Sequence, residues 1–206
     1  METSREVRPP QQARSRHSWD RVLTAGMWIL ENEGRDALTV SAVCERAQVT
    51  PMAIYRRVNG LPGLFWAIYD RGMSSVAETY DRELESAALH PAGSGDRVDR
   101  VATAVAETFE RHTVFLHQII NYSTTDPELS RRGSEESLQL VDRVTALLPD
   151  PDPTAARDVA RMLHQECVFR AMYGERWLSH ESEGFAQFVE RLRRMARGRL
   201  HLASRI

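Results

Sequence analysis

No lysine occurs anywhere in these 206 residues; all 27 basic side chains are arginine. Every basic contact can therefore be a planar, two-pronged one. Cysteine is nearly as scarce, with Cys44 and Cys167 alone and far apart. That excludes a disulfide scaffold and fits a reducing compartment, so a cytoplasmic location is expected. Long apolar runs are missing as well. The longest, Leu64 to Tyr69, has six residues, too few to cross a bilayer, and no membrane partner is expected. The arginine-rich start is not followed by an apolar stretch of the secretory kind. There is no glycine-rich phosphate loop, no nucleophile elbow and no HExxH run. No carboxylate pair stands out for acid–base work. An enzyme is thus the least favoured class, and no cofactor is expected. Sustained period-two alternation is absent, so no sheet is expected. The net charge of −2 makes no bulk case for nucleic acid, although the first third of the chain is the more basic part.

What is present is helical texture. Hydrophobic residues make up 42% and charged residues 27%, enough for a core without staples. Residues 1–17 hold Pro9-Pro10 and Arg5, Arg8, Arg14 and Arg16, and read as a flexible arm that could enter a minor groove. From Ser18, Val22, Leu23, Gly26, Ile29 and Leu30 recur at helical spacing, and Gly34 stands at the C-cap. Thr39 is an N-cap candidate for a second, short helix with Val40, Val43, Cys44 and Ala47 inside. After Gln48-Val49-Thr50, Thr50-Pro51 opens a third helix that runs to about Val58 and ends at Asn59-Gly60. A long helix is expected over 62–89, then a loop at His90 to Gly95. Another helix runs from Asp96 to about 117–120. Asp126-Pro127 starts a further short helix or the N-terminal turn of the next one, and an amphipathic stretch covers 134–148. Three prolines in 149–153 force a break. Helices over 154–173 and 184–199 finish an all-α chain.

A second and third helix separated by three residues make a helix-turn-helix. In that motif one helix braces on the DNA backbone and the next reads the major groove. Thr50, Pro51, Met52 and Ala53 are small or apolar and suit close approach to thymine methyls. Tyr55, Arg56 and Arg57 supply donors for phosphates or guanine edges. Thr39 could present its hydroxyl and backbone N–H to a phosphate, helped by the helix dipole.

Residues 20–69 resemble, without a gap, the N-terminal domain of the TetR family of bacterial transcriptional regulators. The resemblance rests on Val22-Leu23-Thr24-Ala25, Ile29-Leu30, Glu33-Gly34, Ala37-Leu38-Thr39-Val40, Val43, Ala47, Val49-Thr50, the run Pro51 to Val58, and Leu64. The Pro51-Met52-Ala53-Ile54-Tyr55-Arg56 stretch is most similar to the branch near the tetracycline repressor. Four positions depart. The usual turn Gly is Gln48, the common His is Arg57, the common Lys is Leu61, and the usual acidic pair is Pro62-Gly63. The resemblance implies a DNA-binding domain over 18–61 and a helical ligand-binding and dimerisation domain over 62–206.

It also implies a dimer formed by the last two helices. Phe185, Phe188, Val189, Leu192, Met195 and Ala196 make one stripe, and Ala156, Ala160, Leu163, Cys167 and Ala171 make another. From these, Ala160, Leu163, Cys167, Ala171, Phe185, Phe188, Val189, Leu192 and Met195 are expected at the interface, as part of a four-helix seam. Candidate pocket residues mix apolar walls with polar anchors. They are Trp66, Phe109, His112, Phe115, His117, Asn121, Tyr122, Met162, Gln165 and Phe169, with Thr108, His164 and Arg170 nearby in the pattern. His164 and Cys167, three apart, could supply two metal ligands, but nothing adjacent supplies a third and fourth, so no metal is expected.

The expected function is that of a dimeric regulator that binds a pseudo-palindromic operator in double-stranded DNA. It would be a repressor released by an unidentified small-molecule effector. The alternative is a ligand-binding or interaction dimer of the same fold that has lost specific DNA binding, with Gln48 and Leu61 as its marks.

Overall fold

In the computed structural model the described residues are 11–89, 94–148, 152–176 and 181–203. Among them the secondary structure is helical throughout, with no strand, as the missing period-two pattern requires. The chain divides into two compact units, one up to Ser74 and one from Ser75.

The N-terminal unit begins with α1 (Gln11–Asn32). Val22, Ala25, Ile29 and Leu30 are buried along it, spaced i, i+3, i+7 and i+8 on one face. Gly34, at φ 83°, and a 3-10 turn over Arg35–Ala37 redirect the chain. The next helix, α2 (Val40–Ala47), starts at Thr39, whose hydroxyl accepts from the Ala42 N–H at 3.1 Å. That bond satisfies one of the N–H groups a helix start leaves open. After the turn comes α3 (Pro51–Tyr55), with Pro51 in its first position. The following helix, α4, covers Gly60–Leu89. Its opening turns bury Leu64, Phe65, Ile68 and Tyr69 in this unit. Each such side chain contributes about 1.5–3 kcal/mol on burial. Gly26 of α1 is where Ile68 sits closest: a Cβ there would lie 2.2 Å from Ile68 Cδ1.

The C-terminal unit takes the rest of α4, then α5 (Ser94–Arg111), α6 (Thr113–Ser123), α7 (Pro127–Leu147), α8 (Pro153–Tyr173) and α9 (Phe185–Ala203). Asp126 and Asp152 cap α7 and α8, each followed by Pro at the first helical position. The centre is α8, which packs on α5, α6, α7 and α9, while α5 also packs on α9. Val101, Ala102 and Val105 of α5 are buried, as are Ala160 and Leu163 of α8 and Leu192 and Ala196 of α9. The small residues let the helix axes come close.

Several expectations need correction. Helix α1 begins at Gln11, so residues 11–17 are not a flexible arm. Pro9-Pro10 ends before a run of Gln, Ala and Arg, all good helix formers. Residues 1–10, with Arg5 and Arg8, lie outside the described residues, as do residues 90–93 of the expected loop and 149–151 of the proline break. The first compact unit reaches Ser74, because the first turns of α4 bury Leu64, Phe65, Ile68 and Tyr69. The expected single helix from Asp96 to 117–120 is two helices broken at His112, with φ −110° and ψ 15°. Of the two readings of Asp126-Pro127, the second holds: it opens the first turn of α7, which is one helix through to Leu147.

Candidate nucleic-acid interface and ligand cleft

The turn between α2 and α3 is set by one residue. Gln48 is left-handed, at φ 52° and ψ 51°. Its N–H and that of Val49 both reach the Cys44 carbonyl region, the latter at 3.0 Å, closing the end of α2. Arg21 of α1 reaches the Gln48 carbonyl at 3.5 Å. The turn then delivers Thr50 in an extended conformation, from which α3 starts. Its hydroxyl makes no capping bond; Pro51, which needs no acceptor, opens the helix alone.

The eight residues expected to meet DNA share the outside of this motif. Thr39, Thr50, Pro51, Met52, Tyr55, Arg56 and Arg57 are exposed and Ala53 is half-buried. Met52 and Tyr55 are 59% and 54% exposed, large apolar and aromatic groups held in solvent on a helix whose Ile54 is fully buried. The inward Ile54 fixes the rotation of α3, and that rotation turns Met52, Tyr55 and Arg56 outward. Arg57 has a different task. Its Nη2 donates to the Ser15 carbonyl at 3.0 Å and to Ser15 Oγ at 2.8 Å, and its guanidinium lies 5.2 Å from the Trp19 ring. It ties the end of α3 to the first turns of α1. Nothing in the separate parts of the sequence marked Ser15 and Trp19 as its partners.

In the C-terminal unit the candidate pocket residues do not form one group. Trp66 belongs to the N-terminal unit, edge-on to Phe65 and Tyr69 at 5.3 Å each. Phe115 is core, 1% exposed. His117 bonds through Nδ1 with the Ala171 carbonyl at 3.0 Å. Asn121 is exposed, and Tyr122 and Met162 are half-buried. His112 bonds through Nε2 to Thr79 Oγ1 at 2.9 Å, and that hydroxyl donates to the Ser75 carbonyl. The hydroxyl proton being committed, Nε2 is the donor. Burial, then Arg111 and Arg82, lower the ring's pKa.

Gln165 and Phe169 do come together, on an open cleft of about 700 Å³ between α6, α7 and α8. Its other walls were missed: Ile119 and Ile120, Leu129 and Val168, and Ser123, Ser130, Ser134 and Ser137. A signal existed, since Ser130, Ser134 and Ser137 recur at i, i+4 and i+7 and so share a helix face. His164 also lines the cleft. Its ring stands edge-on to Phe109 at 5.5 Å, and its buried Nδ1 has no hydrogen-bond partner. Desolvation pulls its pKa down to about 4. Beyond Phe109, the Tyr80 hydroxyl is buried without a partner as well. Among the described residues, no three His, Cys, Asp or Glu side chains gather to hold a metal.

The expected dimer stripe is largely core. Ala160, Leu163, Cys167, Ala171, Phe188, Val189 and Leu192 are buried within the single chain, covered by its own helices. Periodicity identified the apolar face correctly; it does not say what covers it. Phe185 and Met195 are half-buried. The apolar groups that α8 leaves outside are different ones, chiefly Phe169 and Tyr173, 49% and 48% exposed with rings 5.3 Å apart.

No protein-family model and no curated protein matches the sequence. Solved structures do match. A TetR-family transcriptional regulator from Streptomyces coelicolor aligns at 18% identity with a TM-score of 0.66, over 90% of this chain and 95% of that one. A TetR-family regulator from Mesorhizobium loti aligns at 15% and 0.70, over 92% and 98%. The multidrug binding protein EbrR, complexed with imidazole, aligns at 18% and 0.61, over 85% and 93%. At these identities the likeness is one of architecture, and it spans both units: the chain has the fold of the TetR-family transcriptional regulators.

Proposed function

We propose that this protein is a DNA-binding transcriptional regulator, a homodimer that represses from a pseudo-palindromic operator until a small molecule releases it. The observation that carries the reading is α3, a buried-on-one-side helix that holds Met52, Tyr55 and Arg56 in solvent beside the Thr39 cap. A helix in a non-binding bundle has no need to expose a methionine and a tyrosine side by side. Met52 and Ala53 fit base edges and thymine methyls, Tyr55 and Arg56 fit phosphates, and Arg57 holds the reading helix against α1. Two copies would place their α3 helices in successive major grooves, about 34–36 Å apart.

The outer apolar face of α8, with Phe169 and Tyr173, supports a second copy as its partner, together with the outer side of α9 around Arg194 and Gly198. Gly198 has open space where a Cβ would stand, which allows another helix to come near. Release requires only that an effector prefer the conformation with wrongly spaced reading helices. The alternative, a dimer that has lost operator binding, is favoured by Gln48 and Leu61 but not by the exposed surface of α3.

Fluorescence anisotropy with labelled DNA from the region flanking the gene, at two salt concentrations and with random competitor, tests the reading. Tight, competitor-resistant and salt-sensitive binding is expected. Equal affinity for random DNA, there and in a genome-wide selection of bound fragments, overturns it.

A further inference from the structure

We infer that the α6–α7–α8 cleft binds an uncharged aromatic small molecule bearing one hydroxyl or carbonyl, with His164 as its hydrogen-bonding anchor. The inference rests on the ligand-domain reading above and adds the chemical class. The size is right: about 700 Å³ lies within the range of small-molecule sites. The walls combine aliphatic side chains with the Phe169 ring and a row of serines along α7. That lining suits a flat apolar body with a polar group.

Charge is what the cleft does not offer. The carboxylate among its lining residues, Glu166, is held by Arg191 at 2.7 Å, so its charge is already answered by a side chain outside the lining. A ligand anion or cation would enter without a counter-charge and lose its hydration. His164 is different. Its Nδ1 has no partner, and a buried polar atom left unpaired is unfavourable. The ring therefore gains when it turns toward a hydrogen-bonding group in the cleft. Low pKa keeps it neutral, so it can accept from a hydroxyl or donate to a carbonyl.

Calorimetric titration of the full chain without DNA, using phenol, toluene, benzoate and benzylammonium as probes, tests this. Phenol is expected to bind about tenfold or more tighter than toluene, from the hydrogen bond to His164, and tighter than either charged probe. His164→Phe should bring phenol down to the toluene level. Gly133→Leu is an independent variant, because a Cβ at Gly133 meets nothing within 4 Å and Gly133 lines the cleft. It should crowd the cleft, weaken binding of both probes, and leave the melting temperature equal or higher. If His164→Phe does not fold, Gly133→Leu decides. A charged probe that binds as well as phenol, phenol binding unchanged in either folded variant, or no binding of phenol in the millimolar range would overturn the inference. Probe binding without operator binding would sink the regulator and leave the cleft assignment standing; operator binding without probe binding would do the reverse.

Discussion

Gln48 occupies a backbone conformation that glycine adopts freely and other residues do not, and it alone among the described non-glycine residues has positive φ. The strain is about 1 kcal/mol. Gln48→Gly should therefore stabilise the protein by about that amount in urea denaturation, with the α2–α3 turn unchanged. A loss of stability would show that the Gln side chain holds the turn. Arg56 and Arg57 should separate by assay. Arg56→Ala is expected to weaken all DNA sequences alike and to lower the salt slope by about 1. Arg57→Ala should lower the melting temperature through the lost Ser15 and Trp19 contacts. His164 sets an acid limit. Its folded-state pKa of about 4 lies below the ordinary 6.5, so the unfolded chain binds the proton first. The stability from keeping it neutral is complete above pH 6.5 and is lost as pH falls from there toward 4, on the order of 3 kcal/mol. Melting curves of the wild type and His164→Phe should diverge across that window; parallel curves would refute the assignment.

At the scale of elements, the N-terminal unit was the more legible in the sequence because its punctuation is chemical. Thr39, Pro51, Gly34 and Gly60 each answer a local demand of backbone geometry. The break at His112 has no such mark: Glu110, Arg111, His112 and Thr113 are all acceptable in a helix, and the change of direction depends on the bond to Thr79 from another helix. The cleft was half legible for a related reason. Gln165 and Phe169 are visible on an outer helix face, but the α7 serines become a wall only once α6 and α8 lie on either side. The α8 and α9 stripes were read as a seam because spacing reveals an apolar face and not its neighbour. Gly26 shows how strict the neighbour can be. Gly26→Ala should cost about 1–3 kcal/mol by forcing Ile68 from its rotamer, measured by urea denaturation. A neutral result would mean that α1 and α4 can part without cost.

For the whole molecule, the proposed seam makes opposite expectations for two substitutions to glutamate. Tyr173→Glu, on the outer face of α8, should dissociate the proposed dimer in sedimentation velocity and leave the helical content intact. Leu192→Glu places a charge where the side chain is 0% exposed within one chain, so it should unfold the C-terminal unit. A dimer that survives Tyr173→Glu would move the seam elsewhere. The same core carries a further consequence. The two thiols are both buried, and each has its pKa raised by desolvation. Cys44 lies in one unit and Cys167 in the other. Neither sulfur should react with a thiol reagent until its own helices part. The chain thus has one built-in clock per unit, and two labelling rates, read peptide by peptide, would report how often each half opens.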